Sequence, residues 1–219
     1  MNFILHFIIY IVVFCILVKI NMYHKNENKC DFSYYFYIFI TYTCFYVLNL
    51  ITIPYVKIEY SYTINLSNIV MFFLIADFLF YWYHICIHRL DPSIKKYIHE
   101  LHHELDNLVP LDTINNTIIE TIIIFFIIYL IPTLIITLNI SETIIVRSIL
   151  VLHQFYVHTN TSYKFPIPYF ISSKYHERHH RIGGGNYGSI FSLWDNIMGT
   201  AIPKKIRKKK KLIKKTKSK

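Results

Sequence analysis

The sequence predicts an all-α integral membrane protein, with four to five transmembrane helices and a cytosolic, histidine-rich cap that holds two metal ions. Three observations lead there. Apolar residues make up 54% of the 219, gathered into long uncharged blocks rather than dispersed as in a water-soluble core. The formal charge of +10 is concentrated in Lys204–Lys219, which has eleven of the 23 basic residues and no acid. The other 203 residues set 12 basic against 13 acidic groups, so no folded basic face is left to track nucleic-acid phosphates. Finally, eight of the twelve histidines fall into three tight clusters bordering apolar blocks.

The first block, Phe3 to Ile20, carries a single charge at Lys19. As a helix it would span about 27 Å, the thickness of a bilayer core. It reads as a retained helix, since no basic residue precedes it and no small-x-small cleavage site follows. A second uncharged block covers Phe32–Val56. The third, Asn68 to His88, is apolar except for Asp77 and two histidines. The fourth follows Glu120 and ends at Leu138. The fifth, Thr143–Val157, is shorter, carries Arg147, and is expected to pair with the fourth as a hairpin. Four cysteines without a CxxC pair read as small apolar residues, with only Cys30, in a polar loop, placed to react.

The cationic tail belongs in the cytosol by the positive-inside rule. Counting back puts His84, His88 and the Lys19–Lys29 loop on the cytosolic side, and the Lys57–Asn68 loop in the lumen. The sequons at Asn65 and Asn139 are then lumenal, and those at Asn115 and Asn160 cytosolic. The chain divides into N-terminal transmembrane helices (1–66), a metal-binding domain (67–203) and a disordered polybasic tail (204–219). The tail is expected to adhere to anionic lipid. Its Lys215 and Lys217 also fit a K-x-K-x-x pattern resembling the retrieval signal of endoplasmic reticulum membrane proteins.

His84 and His88 are four apart and share a helix face. His99, His102 and His103 form an HxxHH set, and His176, His179 and His180 form another. Positions i, i+3 and i+4 fall on one stripe, so each set is expected to present its rings to a common point. Burying so many imidazoles without a shared ligand would leave unsatisfied nitrogens at about 1–3 kcal/mol each. Imidazole suits iron, zinc, copper and nickel, and this many rings exceed the capacity of one ion, so two metals are implied. Both HxxHH sets also satisfy HExxH, through Glu100 and Glu177, which makes a membrane-embedded zinc metalloprotease the rival enzyme. That reading leaves the additional histidines unemployed. A third reading is a catalytically inactive metal-binding membrane protein.

The pattern HxxxH, HxxHH, HxxHH resembles the fatty acid hydroxylase superfamily of sterol desaturases, sterol methyl oxidases and lipid hydroxylases. The lead-in from Asp77 through Tyr81 and Trp82 to His84 resembles its D-x-x-x-Y-W-x-H motif. His158-Thr159-Asn160 resembles its solitary histidine, and Asn186-Tyr187-Gly188 with Trp194-Asp195 through Gly199-Thr200 its closing segment. The resemblance implies a non-haem di-iron centre that uses O2 and two electrons to hydroxylate or desaturate a sterol or fatty acyl chain. It implies as ligands His84, His88, His99, His102, His103, His158, His176, His179 and His180, supported by Asp77, Glu120, Asn186 and Asp195. Asp77 is costly to bury in a span and shares a helix stripe with Tyr81, His84 and His88, so it is expected to orient the ligands indirectly. Where many members carry a His-Pro-x-Glu/Asp segment, this chain reads Thr117-Ile118-Ile119-Glu120, keeping the acid without the histidine. His153 stands as either a replacement ligand or a core residue, while His6 and His24 are incidental. With no haem-binding HPGG segment in the sequence, electrons are expected from a partner, a cytochrome b5-like protein or other reductase.

Overall fold

The computed structural model describes residues 3–24, 32–104 and 108–203; the polybasic tail, Cys30, Lys25 and Lys29 lie outside the described residues. The apolar blocks are helices: α1 (Phe3–His24), α2 (Phe32–Thr52), α3 (Leu66–Arg89), α6 (Ile118–Ile124) continued through a π-helical stretch (Phe125–Leu130) into α7 (Ile131–Ile135), and α8 (Ile140–Val157). Four of these stretches, 32–52, 66–89, 118–135 and 140–157, are long and apolar enough to cross a membrane, and α1 adds the shorter apolar run Tyr10–Lys19. Between and beyond them lie the cap helices α4 (Pro92–Ile98), α5 (Glu100–His103), α9 (Ser173–Ile182) and α10 (Leu193–Ile197).

Local chemistry sets the breaks. Asn65 caps α3 by accepting from Ser67 N, and Asp91 followed by Pro92 opens α4. The wide π turns precede Pro132, which has no N–H for the carbonyl one turn back and so interrupts the ordinary ladder. Asn139 and Glu142 form a capping box on α8. Gly183, at φ +67°, ends α9 in the left-handed region.

Apolar faces of α3 (Ile69, Phe72, Phe73, Ala76), the π stretch (Ile128) and α8 (Val146, Leu150) pack into one core with Leu138 and Ile190. At one end, β1 (Ile58–Glu59) pairs in parallel with β2 (Leu138–Asn139). Glu142 there accepts from the backbone of Asn65 and Asn139. The two loops expected on one side of the membrane are therefore hydrogen-bonded to each other. Asn139 is 4% exposed and its amide donates to Thr63 O, so in the folded protein this sequon is buried. At the other end, Asn21 accepts from Leu111 N, Tyr34 donates to Asp112, and Thr41 donates to Ile114 O. That end, where α3 and α8 also terminate, carries the cap.

Candidate metal centre

The three histidine clusters meet at this end. His84 and His88 project from the last turns of α3, which places them where the span leaves the bundle. His99 sits at the break between α4 and α5, with φ −121° and ψ −14°, and His102 and His103 follow on α5. His158 caps the C-terminus of α8, and His176, His179 and His180 lie on α9.

The nine predicted ligands form two groups, His84, His88, His99, His103 and His179 in one and His102, His158, His176 and His180 in the other, with nitrogens within 4.8 Å of one another in each. The expectation that each HxxHH set faces one point is corrected here. His99 and His103 enter the first group while His102 enters the second, and α9 does the reverse, giving His179 to the first and His176 and His180 to the second. The reason is helix phase: successive side chains are about 100° apart around the axis, so adjacent histidines face different ways. The groups share a wall, with the His103 and His180 rings 4.6 Å apart.

Within the groups the Nε2 atoms converge. In the first they lie 3.2 Å apart for His84 and His99, 3.1 Å for His88 and His99, 2.9 Å for His99 and His103, and 3.1 Å for His103 and His179. In the second the separations are 3.2 Å for His158 and His176 and 3.0 Å for His176 and His180. The opposite ring nitrogens show which electron pairs face inward. His84 Nδ1 donates to Tyr187 O, His179 Nδ1 to Gly185 O and His158 Nδ1 to Gln154 O, each at 2.8 Å. His99 Nδ1 donates to Glu120 Oε1. With the proton on Nδ1, each Nε2 is a bare lone pair. Lone pairs crowded at 3 Å repel unless a cation lies between them, so the residues fit a metal. Ligands about 2.1 Å from one ion are about 3.0 Å apart at a right angle and about 3.4 Å at a tetrahedral one. The separations observed are of this size.

Burial enforces the neutral state that metal binding needs. It pushes His99 and His103 down to about 2, with neighbouring histidines adding repulsion, and His179 and His158 down to about 4. His102, His176 and His180 are held well below the usual range for the same reasons.

The four supporting residues act differently from one another. Glu120 touches a candidate ligand, accepting from His99 Nδ1, and its Oε1 also accepts from Tyr83 Oη at 3.2 Å. Asp77 reaches no ligand ring by hydrogen bond: its Oδ1 accepts from Ser189 N and Ile190 N. Asp195 accepts from Tyr187 N, Gly188 N, Tyr175 Oη and Thr200 Oγ1. Asn186 bridges Tyr175 O and Ile202 N. Asp77, Asp195 and Asn186 together hold the 183–203 loop that supplies the carbonyls to His84 and His179. Gly185, the donor of one carbonyl, has φ +91°, and a Cβ there would lie 2.5 Å from Thr200 O. His153 belongs to neither group, since its Nε2 donates to Ile171 O and its ring packs on Phe170 at 4.3 Å. Thr117, at the place of the missing histidine, caps α6 and donates to Ile98 O. Tyr83 and the carbonyls of Tyr187, Gly185 and Gln154 escape sequence reasoning. Every residue has a carbonyl, and Tyr83 is one of nineteen tyrosines.

The HExxH glutamates do not face the metal groups. Glu100 is exposed, and Glu177 is ion-paired with Lys174 at 2.9 Å and Arg181 at 2.6 Å.

Comparison with known proteins agrees with this constellation. Methylsterol monooxygenase erg25A of Aspergillus fumigatus is 28% identical over 153 residues, covering 66% of this chain and 50% of its own length. A putative methylsterol monooxygenase of Dictyostelium discoideum is 29% identical over 142 residues, covering 62% and 51%. Very-long-chain aldehyde decarbonylase GL1-8 of Oryza sativa is 26% identical over 167 residues, covering 72% and 60%. The chain thus spans about half the length of these relatives. No solved structure matches it significantly. The pattern of the fatty acid hydroxylase family runs from residue 69 to 200, from the start of α3 past the last loop that braces the histidines, and the chain belongs to that family.

Proposed function

We propose that the protein is a membrane-bound oxidoreductase that uses O2 and two non-haem irons to hydroxylate or desaturate a lipid, either a sterol or a fatty acyl chain. The observation that carries this reading is the convergence of nine histidine rings into two adjacent groups. The five-membered first group would suit iron better than a four-coordinate tetrahedral zinc. When bound, the irons supply the oxidant that an unactivated C–H bond requires and that no side chain provides.

The chain does the rest. The carbonyls of Tyr187, Gly185 and Gln154, with Glu120, hold each bonded ring in one tautomer and one orientation. Asp77, Asn186 and Asp195 keep the carbonyl-bearing loop in place. Burial of His84, His99 and His179, each at most 2% exposed, keeps bulk water from the reacting region. Hydroxylation leaves one oxygen atom on the substrate carbon and the other in water, consuming two electrons and two protons. Those electrons come from a partner, a cytochrome b5-like protein or another reductase. The site lies where spans α3 and α8 end, which lets an apolar substrate approach from the bilayer. The basic tail supports a cytosolic position for this end, the cap and the C-terminus, and residence in the endoplasmic reticulum fits the dilysine pattern. In this reading residues 1–66 anchor, 67–203 form the catalytic domain and 204–219 a polybasic tail.

The relatives' names, methylsterol monooxygenase and very-long-chain aldehyde decarbonylase, define the substrates to try first. Purified protein in lipid nanodiscs should hold two irons per chain and oxidise such a lipid only with O2 and a reductant. Full activity with zinc alone, or lipid oxidation by the His103→Ala/His179→Ala variant, would refute the proposal. Peptide cleavage without O2 would favour the protease.

A further inference from the structure

Two parts of the cap fold back beside the spans instead of rising away from them. The chain leaves α8 at Val157, yet Tyr156 Oη, in its last turn, donates to Tyr163 O at 2.7 Å. The Tyr156 ring lies 5.0 Å from Phe165, Phe165 lies 5.6 Å from Phe170, and Phe170 packs on His153 one turn deeper in α8. The 163–170 segment therefore runs alongside residues 153–156, which are part of a candidate span. Ser192 N donates to Tyr169 O and Ile171 N to Ile190 O, which fixes its shape. Tyr169 is held at φ +61°, a conformation seldom adopted by a tyrosine.

The outward surface of this segment is apolar. Tyr163, Phe165, Ile167 and Tyr169 are 57%, 42%, 51% and 56% exposed, and the chain bends at Pro166 and turns through Pro168 and Tyr169, with Phe170 N donating to Ile167 O. Helix α10 repeats the arrangement against α3. Trp194 packs 4.9 Å from Phe78, in the middle of a span, and Ile197 and Met198 are left exposed. Side chains at the depth of a membrane span meet lipid, and large aromatic residues are the types that settle at the headgroup level.

We propose that residues 163–169, with the Ile197–Met198 edge of α10, are immersed in the boundary between headgroups and acyl chains of the leaflet beside the histidine groups. The occupant of this surface is the bilayer that the chain spans. The cap is thus set into the membrane surface, and Lys164, within the segment, extends its ammonium toward the phosphates. The inference is independent of the metal and of the reaction proposed above.

The test uses the full chain in nanodiscs, with Ile167→Trp and, separately, Tyr163→Trp. Both positions are exposed, so folding is not at stake, and the added signal is read as the difference from the wild type with its two tryptophans. Bromines carried about 5–10 Å below the headgroups should quench the added emission about twofold, and iodide in the buffer should not. Emission quenched by iodide and insensitive to bromolipid would overturn the proposal in favour of a water-facing loop. Emission shielded from both would overturn it in favour of a covering protein surface.

Discussion

The two histidine groups are built from overlapping segments, yet they are braced differently. In the five-ring group, His84 and His99 hand their Nδ1 protons to partners far along the chain, Tyr187 O and Glu120, and His179 to Gly185 O just past its helix. In the four-ring group, His158 bonds the carbonyl of Gln154 in its own helix, while the Nδ1 atoms of His102 and His180 are buried without a hydrogen-bond partner, as only His88 Nδ1 is among the described rings of the first group. The first group therefore takes its shape from tertiary structure, from α3, α6 and the 183–203 loop at once. The second depends on helix phase and on whatever fills the space between its rings. One fold thus holds a site that is largely pre-formed beside a site that relies more on its occupant.

Removing a ligand tests this contrast most severely. His84→Ala and His176→Ala should each abolish lipid oxidation, because both groups border the same reacting region. Elemental analysis of the purified proteins should find about one ion per chain in His176→Ala, retained by the braced group. Two tightly held ions in that variant would show that the four-ring group needs no such ligand.

A step down in size is the effect of the brace itself. Glu120→Ala should weaken metal binding at the five-ring group about 10–100-fold, the usual consequence of losing a partner behind a ligand. Glu120→Gln should recover part of it, since an amide oxygen still accepts from His99 Nδ1. The counterpart in the other group gives a matched control. Gln154 holds His158 through its backbone, and its side-chain amide donates elsewhere, to Ser189 Oγ at 2.8 Å. Gln154→Ala should therefore leave metal affinity unchanged in competition titrations. A loss equal to that of Glu120→Ala would erase the distinction.

Asp195→Ala should act on the first group through the fold. It strands the buried amides of Tyr187 and Gly188, at about 1–3 kcal/mol each, and loosens the carbonyl that holds His84. A denaturant titration should show the loss of stability. Metal release by a chelator should be faster from the five-ring group than from the other.

Much of this contrast is visible in the residues, and the part that is not has a physical cause. The spans declare themselves because Phe32–Val56 or Asn68–His88 cannot face water, and a helix is the simplest way to satisfy a backbone in lipid. Eight of the nine candidate ligands stand out because His84/His88 and the two HxxHH sets keep helical spacing, and the ninth, His158, is legible only through the resemblance of His158-Thr159-Asn160 to the family. The division of each set between two groups follows from the same 100° step, applied to neighbours rather than to the i, i+4 pair. The bracing carbonyls of Tyr187 and Gly185 leave no such trace, since a carbonyl acquires its role only through the folded path of the loop, which turns back on His179 and returns to His84 from over a hundred residues away. Asp77 shows the limit from the other side. Its burial in a span announces importance, but its contact is with Ser189 and Ile190 amides and not with the rings that share its stripe.

Acid should destabilise the metal-free protein. Each of His99, His103, His158 and His179 has a folded-state value below its ordinary 6.5, so the unfolded chain binds more protons in the interval between. Stability then rises with pH through that window, is complete above about 6.5 and falls as pH drops. For His158 and His179 the loss stops near 4, and for His103 it continues to about 2. Thermal unfolding should accordingly occur at lower temperature at about pH 5 than at about pH 7.5. No change across that interval would mean these rings are already solvated when folded.

The smallest effect should come from the histidine that lies outside both groups. His153 is buried, one turn or so before His158 on α8, and its place in sequence makes it the natural substitute for the ligand absent at Thr117. Its contacts assign it elsewhere: Nε2 donates to Ile171 O at 3.2 Å, and the ring rests on Phe170, at the root of the segment that folds back along α8. His153→Phe keeps a ring of similar shape against Phe170 and removes only the hydrogen bond. The stranded carbonyl of Ile171 should lower stability by about 1–3 kcal/mol, with metal content and turnover per folded molecule unchanged. Loss of an ion from this variant would make the second group a five-ring site like the first, and would remove the asymmetry between them.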